Sequence, residues 1–184
     1  MAEQAQIDEL RTKMREQRES LLSALSSLSD ENAERSTTGE GEWSAKQQMS
    51  HLCEMESAYR AWVKRGLEDD GASVDGVFGE PPAIRLEDAN AHTVDEHIAE
   101  MRRQRTETED LIDSIKPDDF ERRASNQIFG SLTLMQWLRS YYRHDRMHVG
   151  QVQGGQSDYQ PRYAGGLEPD QRRSQTDKAQ TGKA

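Results

Sequence analysis

The chain has 184 residues, room for one domain of ordinary size with a tail. Hydrophobic residues make up 33 % and charged residues 32 %, with 34 acids against 24 bases, so any core must come from apolar stripes on otherwise polar helices. The net charge of -10 argues against nucleic acid or an anionic membrane as partner and favours solubility.

Ile7, Leu10, Met14, Leu21, Leu25 and Leu28 recur at helical spacing and predict a first helix from about Glu3 to Leu28. Residues 30–42, rich in turn formers, read as a loop. Ser44 is a ready N-cap for a second helix that carries Met49, Leu52, Met55, Tyr59, Trp62 and Val63 on one face, with Gly66 as its stop. Residues 67–91 hold three glycines and an adjacent proline pair and form a long connection, of the length used for covers. Thr93 to Glu96 is a capping box that opens a third helix along Val94, Ile98, Met101, Thr108, Ile112 and Ile115, with Pro117 at the exit. Arg105 falls on that apolar stripe. Residues 118–131 are a second irregular link. A fourth helix, capped by Thr133 or Ser131, runs down a seam of Leu134, Trp137, Tyr141, His144, His148 and Val152.

The pattern predicts an all-α four-helix bundle over residues 1–156 and a polar, disordered tail over 157–184. The two long connections argue against a simple up-down-up-down chain. The single cysteine, Cys53, allows no internal disulfide and reads as packing. The polar N-terminal segment lacks a signal-peptide core, and no stretch reaches the ~20 apolar residues of a membrane span. The expected place is the cytoplasm.

His144 and His148 stand four apart, so both imidazoles share one helix face and can address one ion. His51, near the start of the second helix, is the natural third ligand. The competing reading is a histidine pair that only hydrogen-bonds, to Asp145, Tyr141 or Gln151. His92 and His97 read as solvated. Gln151 is positioned to bond a ring nitrogen of His148, Asp145 has a structural or supporting role, and Glu54 and Tyr141 are the candidates for acid–base work. Arg105 either binds a carboxylate of a substrate or cofactor, or pairs with a neighbouring helix.

Trp43-Ser44, His51-Leu52 with Glu54 and Glu56, and Thr133-Leu134 leading to His144-Asp145-x-x-His148-x-Gly150-Gln151 together resemble the DinB/YfiT-like family of metal-dependent four-helix-bundle proteins. The resemblance spans residues 5 to 154. It implies an up-up-down-down-like bundle, frequent homodimers, and a three-histidine site of His51, His144 and His148 for zinc, nickel or a similar divalent ion. It also implies, for some relatives, transfer chemistry on a low-molecular-weight thiol and, for others, hydrolysis of a small-molecule substrate. Three neutral imidazoles leave a tetrahedral ion one open position, where water or a thiol becomes a nucleophile near neutral pH. The expectation is therefore a metal-dependent transferase or hydrolase. The alternative is a stress-related bundle that binds metal or a small ligand without turnover.

Overall fold

The computed structural model describes residues 2–35 and 43–155. The sequence-predicted tail, 157–184, lies outside them, as does most of the loop before Ser44. The elements are α1 (Gln4–Ser26), a one-turn α2 (Asp30–Ala33), α3 (Ala45–Glu68), α4 (Val94–Ser114) and α5 (Leu134–Val152). Three short strands join them: β1 (Ala72–Ser73), β2 (Arg123–Asn126) and β3 (Gly130–Thr133). Among the described residues no helix is long and apolar enough to cross a membrane.

Capping boxes start the last three long helices. Ser44, Thr93 and Thr133 each accept the backbone N–H three residues on, and Gln47, Glu96 and Gln136 each reach back to the cap N–H. Gly66 does not stop α3, which runs to Glu68. It is small because the helix there presses on its neighbours: an added Cβ would lie 2.6 Å from Leu134 and 3.2 Å from the Arg123 carbonyl.

α1 and α3 each pack against both α4 and α5, so α1 lies diagonally across from α3, and α4 from α5. Contacts along the helices give their directions. Arg11, Met14 and Arg18 of α1 meet Asp113, Arg105 and Met101 of α4, an antiparallel pair. Glu56 and Arg60 of α3 meet Arg105 and Glu107 of α4 in parallel. His51 and Tyr59 of α3 meet His148 and Trp137 of α5, antiparallel again. The order is thus up-down-down-up, not up-up-down-down.

This topology explains the longest connection. After α3, whose 24 residues span about 36 Å, the chain must return the whole way before α4 can start alongside in parallel. Residues 69–93 do so as a strap lying on α3 and α4. Trp62 Nε1 donates to the Val77 carbonyl (2.8 Å), Ser57 Oγ to the Glu80 carbonyl (2.7 Å) and Ala83 N to Glu100 Oε1 (3.1 Å). A 3₁₀ turn, Leu86–Ala91, completes it, and His97 beneath is buried rather than solvated, donating from Nε2 to the Ala89 carbonyl (2.9 Å).

The second link, read as irregular, contains a β-hairpin. β2 pairs antiparallel with β3, Ala124 opposite Leu132, and β1 adds in parallel at Ala72↔Ala124. Trp137 Nε1 donates to the Ala124 carbonyl (3.1 Å), fixing this small sheet to the start of α5.

Apolar residues form two clusters. One holds Met14, Tyr59, Phe120, Trp137 and Tyr141; the other holds Leu21, Leu25, Met49, Leu52, Met101 and Val152. Between them four buried charged residues, drawn from the four long helices, bond to one another: Arg18, Glu56, Arg105 and Asp145. All four are almost wholly buried.

Candidate metal centre

His51 on α3 and His144 and His148 on α5 converge across the α3–α5 seam. Their exposures are 2 %, 6 % and 0 %. Ring centroids are 5.2 Å apart for His51–His144, 6.0 Å for His51–His148 and 5.0 Å for His144–His148. One nitrogen from each ring can be chosen so that all three lie within 4.8 Å of one another. The antiparallel pairing of α3 and α5 makes this possible, bringing the first turns of α3 beside the last turns of α5.

The tautomer of His148 follows from a short chain of hydrogen bonds. Gln48 Nε2 donates to the Trp43 carbonyl (3.2 Å), which turns the amide so that Oε1 faces His148 Nδ1 at 2.8 Å. A carbonyl oxygen can only accept, so Nδ1 carries the proton and the lone pair sits on Nε2, the nitrogen suited to ligation. Gln48 thus has the role expected of Gln151. Gln151 is only half-buried, and its Oε1 has no hydrogen-bond partner among the described residues. Trp43 also packs against His51, with centroids 4.9 Å apart.

Beside His144 a small cleft of about 10 Å³, room for about one water molecule, is lined by Leu52, Glu56, Tyr59, Tyr141, Arg18 and Asp145. Its charged wall is three of the quartet, Arg18, Glu56 and Asp145, with Arg105 behind them. Arg18 donates to Asp145 through Nε (2.9 Å) and Nη2 (3.0 Å), and to Glu56 at 2.5 Å. Arg105 donates to Glu56 Oε1 (2.8 Å) and Asp145 Oδ2 (2.8 Å), and Thr108 Oγ1 adds a bond to Glu56 (2.7 Å). Each guanidinium also caps a carbonyl beside the other: Arg18 that of Met101, Arg105 that of Met14. Burial would push the Glu56 carboxyl up, but Arg105 and Arg18 outweigh it and hold the pKa down at about 2.

Arg105 therefore does not offer its charge to a ligand. Its donors are spent on Glu56, Asp145 and the Met14 carbonyl, which corrects the substrate-binding reading and gives the pairing alternative. The Asp145 carboxylate is taken by the two arginines. Glu54 is exposed, so it is a solvated residue rather than an acid–base group beside the imidazoles. Tyr141 does line the cleft, fully buried, and burial, then the Glu56 charge, push its hydroxyl well above the ordinary range, so it stays protonated. Burial likewise pushes the Cys53 thiol up, leaving it a packing residue.

Sequence reasoning missed Arg18 and Gln48, and gave no role to Glu56, which it met only as part of the His51-Leu52 motif. The signal for Arg18 was the gap in the α1 stripe between Met14 and Leu21, since residue 18 faces the core at that spacing. Glu56 stands one turn after Leu52 in the same way. Gln48 had no signal, because its partner is 100 residues away.

Known proteins share this architecture. YfiT from Bacillus subtilis, described as a probable metal-dependent hydrolase with an unusual four-helix bundle topology, superposes with a TM-score of 0.67 over 83 % of this chain and 87 % of its own, at 16 % identity. An uncharacterised protein of Bacillus subtilis (strain 168), YuaE, is 25 % identical over 141 residues, covering 70 % of this chain and 85 % of its own. Residues 13–152, which hold all three histidines and the whole buried quartet, match the DinB superfamily, and the chain belongs to that family.

Proposed function

We propose that this chain is a metal-dependent enzyme in which His51, His144 and His148 hold one divalent ion, zinc or nickel, for hydrolysis of a small substrate. The observation that carries the reading is the convergence of three buried imidazoles, with nitrogens within 4.8 Å of one another. The donor set fits such an ion: three neutral nitrogens, no thiolate, and one tautomer already fixed by Gln48. An ion held by three imidazoles keeps a position open and makes water there acidic near neutral pH.

The chain's own residues prepare the site. Gln48 orients His148, and Trp43 packs beside His51. Leu52 and Tyr59 line the cleft with apolar surface, and the Arg18–Asp145 pair closes one wall without leaving a free charge. The description of YfiT as a probable metal-dependent hydrolase supports the hydrolytic form of the reading.

The test is elemental analysis of untagged protein, together with His51→Ala, His144→Ala and His148→Ala. About one ion per chain, lost in each variant along with ester hydrolysis, is the expected result. Hydrolysis undiminished in metal-free protein would refute the reading. Bound metal with no turnover on esters, but transfer when a low-molecular-weight thiol is added, would replace hydrolysis by thiol transfer.

A further inference from the structure

The capping box that starts α3 also reaches the metal centre. Ser44 N donates to Gln47 Oε1 (3.0 Å), and Ser44 Oγ accepts from Gln47 N (3.1 Å). The same hydroxyl donates to Asn90 Oδ1 (2.7 Å), on the 3₁₀ turn of the strap, and the Ser44 side chain is buried. The Ser44 N–H and the Trp43 carbonyl belong to one rigid peptide plane and point in opposite directions. The group that holds the N–H therefore also aims the carbonyl. Gln47 holds the N–H, and the carbonyl across the plane accepts from Gln48 Nε2 (3.2 Å), whose Oε1 accepts from His148 Nδ1 (2.8 Å).

A glutamine amide can present either end to a histidine, as acceptor or as donor. The Trp43 carbonyl decides between them, because it can only accept and so takes the NH2 end. Were that plane to turn over, an N–H would face Gln48 and the amide would turn with it. Its Nε2 would then donate to His148 Nδ1, which moves the imidazole proton to the nitrogen suited to ligation. The equivalent box at α5 has no such reach: Thr133 N donates to Gln136 Oε1 (2.9 Å), and the plane it fixes carries the carbonyl of Leu132, in β3.

We propose that Gln47 is a positioning residue of the metal centre, acting through the Trp43–Ser44 peptide and Gln48 to keep the lone pair of His148 on Nε2. This rests on the metal-dependent reading above and extends it from Gln48 to the cap of α3.

The experiment measures Zn(II) affinity of full-length, untagged protein by competition with a chromogenic chelator, in native protein, Gln47→Ala, Gln48→Leu, the double variant and Gln136→Ala. A cap bond lost alike from metal-free and metal-bound protein cancels from the affinity, so Gln136→Ala should lower Tm and bind Zn(II) as the native protein does. Gln47→Ala is expected to bind about threefold to tenfold more weakly, the worth of one neutral hydrogen bond. In the Gln48→Leu background the same substitution should weaken binding no further, because the route through the amide is gone. Native affinity in Gln47→Ala, an equal loss in Gln136→Ala, or the same fold-loss with and without Gln48 would overturn the role of Gln47 and leave the metal reading standing. Failure of the native protein to take up Zn(II) would overturn the metal reading and this inference with it.

Discussion

Replacing Arg105 by methionine keeps much of the side-chain volume and removes the charge. The substitution deletes hydrogen bonds to Glu56 Oε1, Asp145 Oδ2 and the Met14 carbonyl. Two carboxylates, each about 97 % buried or more, are left sharing the single guanidinium of Arg18. Breaking a buried ion pair from one side costs about 3–5 kcal/mol, because the stranded charge stays desolvated. For a chain of this size that lowers Tm by roughly 6–20 °C. Urea unfolding of metal-free protein, followed by tryptophan fluorescence, measures it without contribution from a bound ion. Removing one charge of each sign, in Glu56→Leu with Arg105→Met, leaves the two-bond Arg18–Asp145 pair intact and should cost less than Arg105→Met alone. The pH dependence follows in sign. Glu56 has a folded pKa of about 2, below the ordinary 4.5, so its contribution is whole above about pH 4.5 and disappears as pH falls through 2. Loss of Arg105 raises that folded value, so the variant loses less on acidification and its deficit is smaller at pH 3 than at pH 7. A deficit under about 1 kcal/mol at pH 7, or single-variant costs that simply add in the double variant, would refute the account of the quartet as one coupled unit.

With the ion bound, chelator should lower the Tm of native protein but leave His148→Ala unchanged; an ion at a hundred times its Kd stabilises by about 2.7 kcal/mol. Gln48→Leu should weaken metal binding by about 10–100-fold, as loss of a ligand-orienting partner does, while Gln151→Leu stays near native; competition with a chromogenic chelator reads both. Gly79→Ala should cost about 1–3 kcal/mol and open residues 69–93 to limited proteolysis, because its Cβ would lie 2.3 Å from the Ser57 carbonyl carbon, where only backbone could give way.

What could be read from the sequence was whatever repeats locally. The stripes, the capping box at Thr93 and the i,i+4 histidines lie within a turn or two of chain, and the structure has them at those positions; of the two caps offered for the last helix, Thr133 and Ser131, it uses Thr133. The sheet was not legible. Its strands are two to four residues long, and its pairing joins Ala72 to Ala124, so no segment carries the alternation that marks a strand. Helix directions were not legible either, since antiparallel and parallel neighbours use the same apolar stripe. The length of the 67–91 connection was the one clue, and it becomes readable once α3 and α4 are seen to run the same way.

Charge at core positions carries a related lesson. On a stripe, Arg105 alone looks like a group waiting for a ligand. Four such residues, one per helix and two of each sign, have a different meaning, because each charge is the partner of the others. The quartet also bears on the histidines. Asp145 directly follows His144, and Glu56 lies five residues beyond His51, so contacts that tie α3 and α5 to the arginines tie the imidazoles as well. Sliding α5 by one turn, about 5.4 Å, would take Asp145 from both guanidiniums and carry His144 and His148 away from His51 together. A purely apolar layer would tolerate such a slip, since one leucine packs much like the next. A charged layer does not, because a displaced carboxylate is left buried without a donor. The energetic burden of burying four charges is thus set against a fixed axial register, and that register holds the three imidazole nitrogens within reach of a single ion.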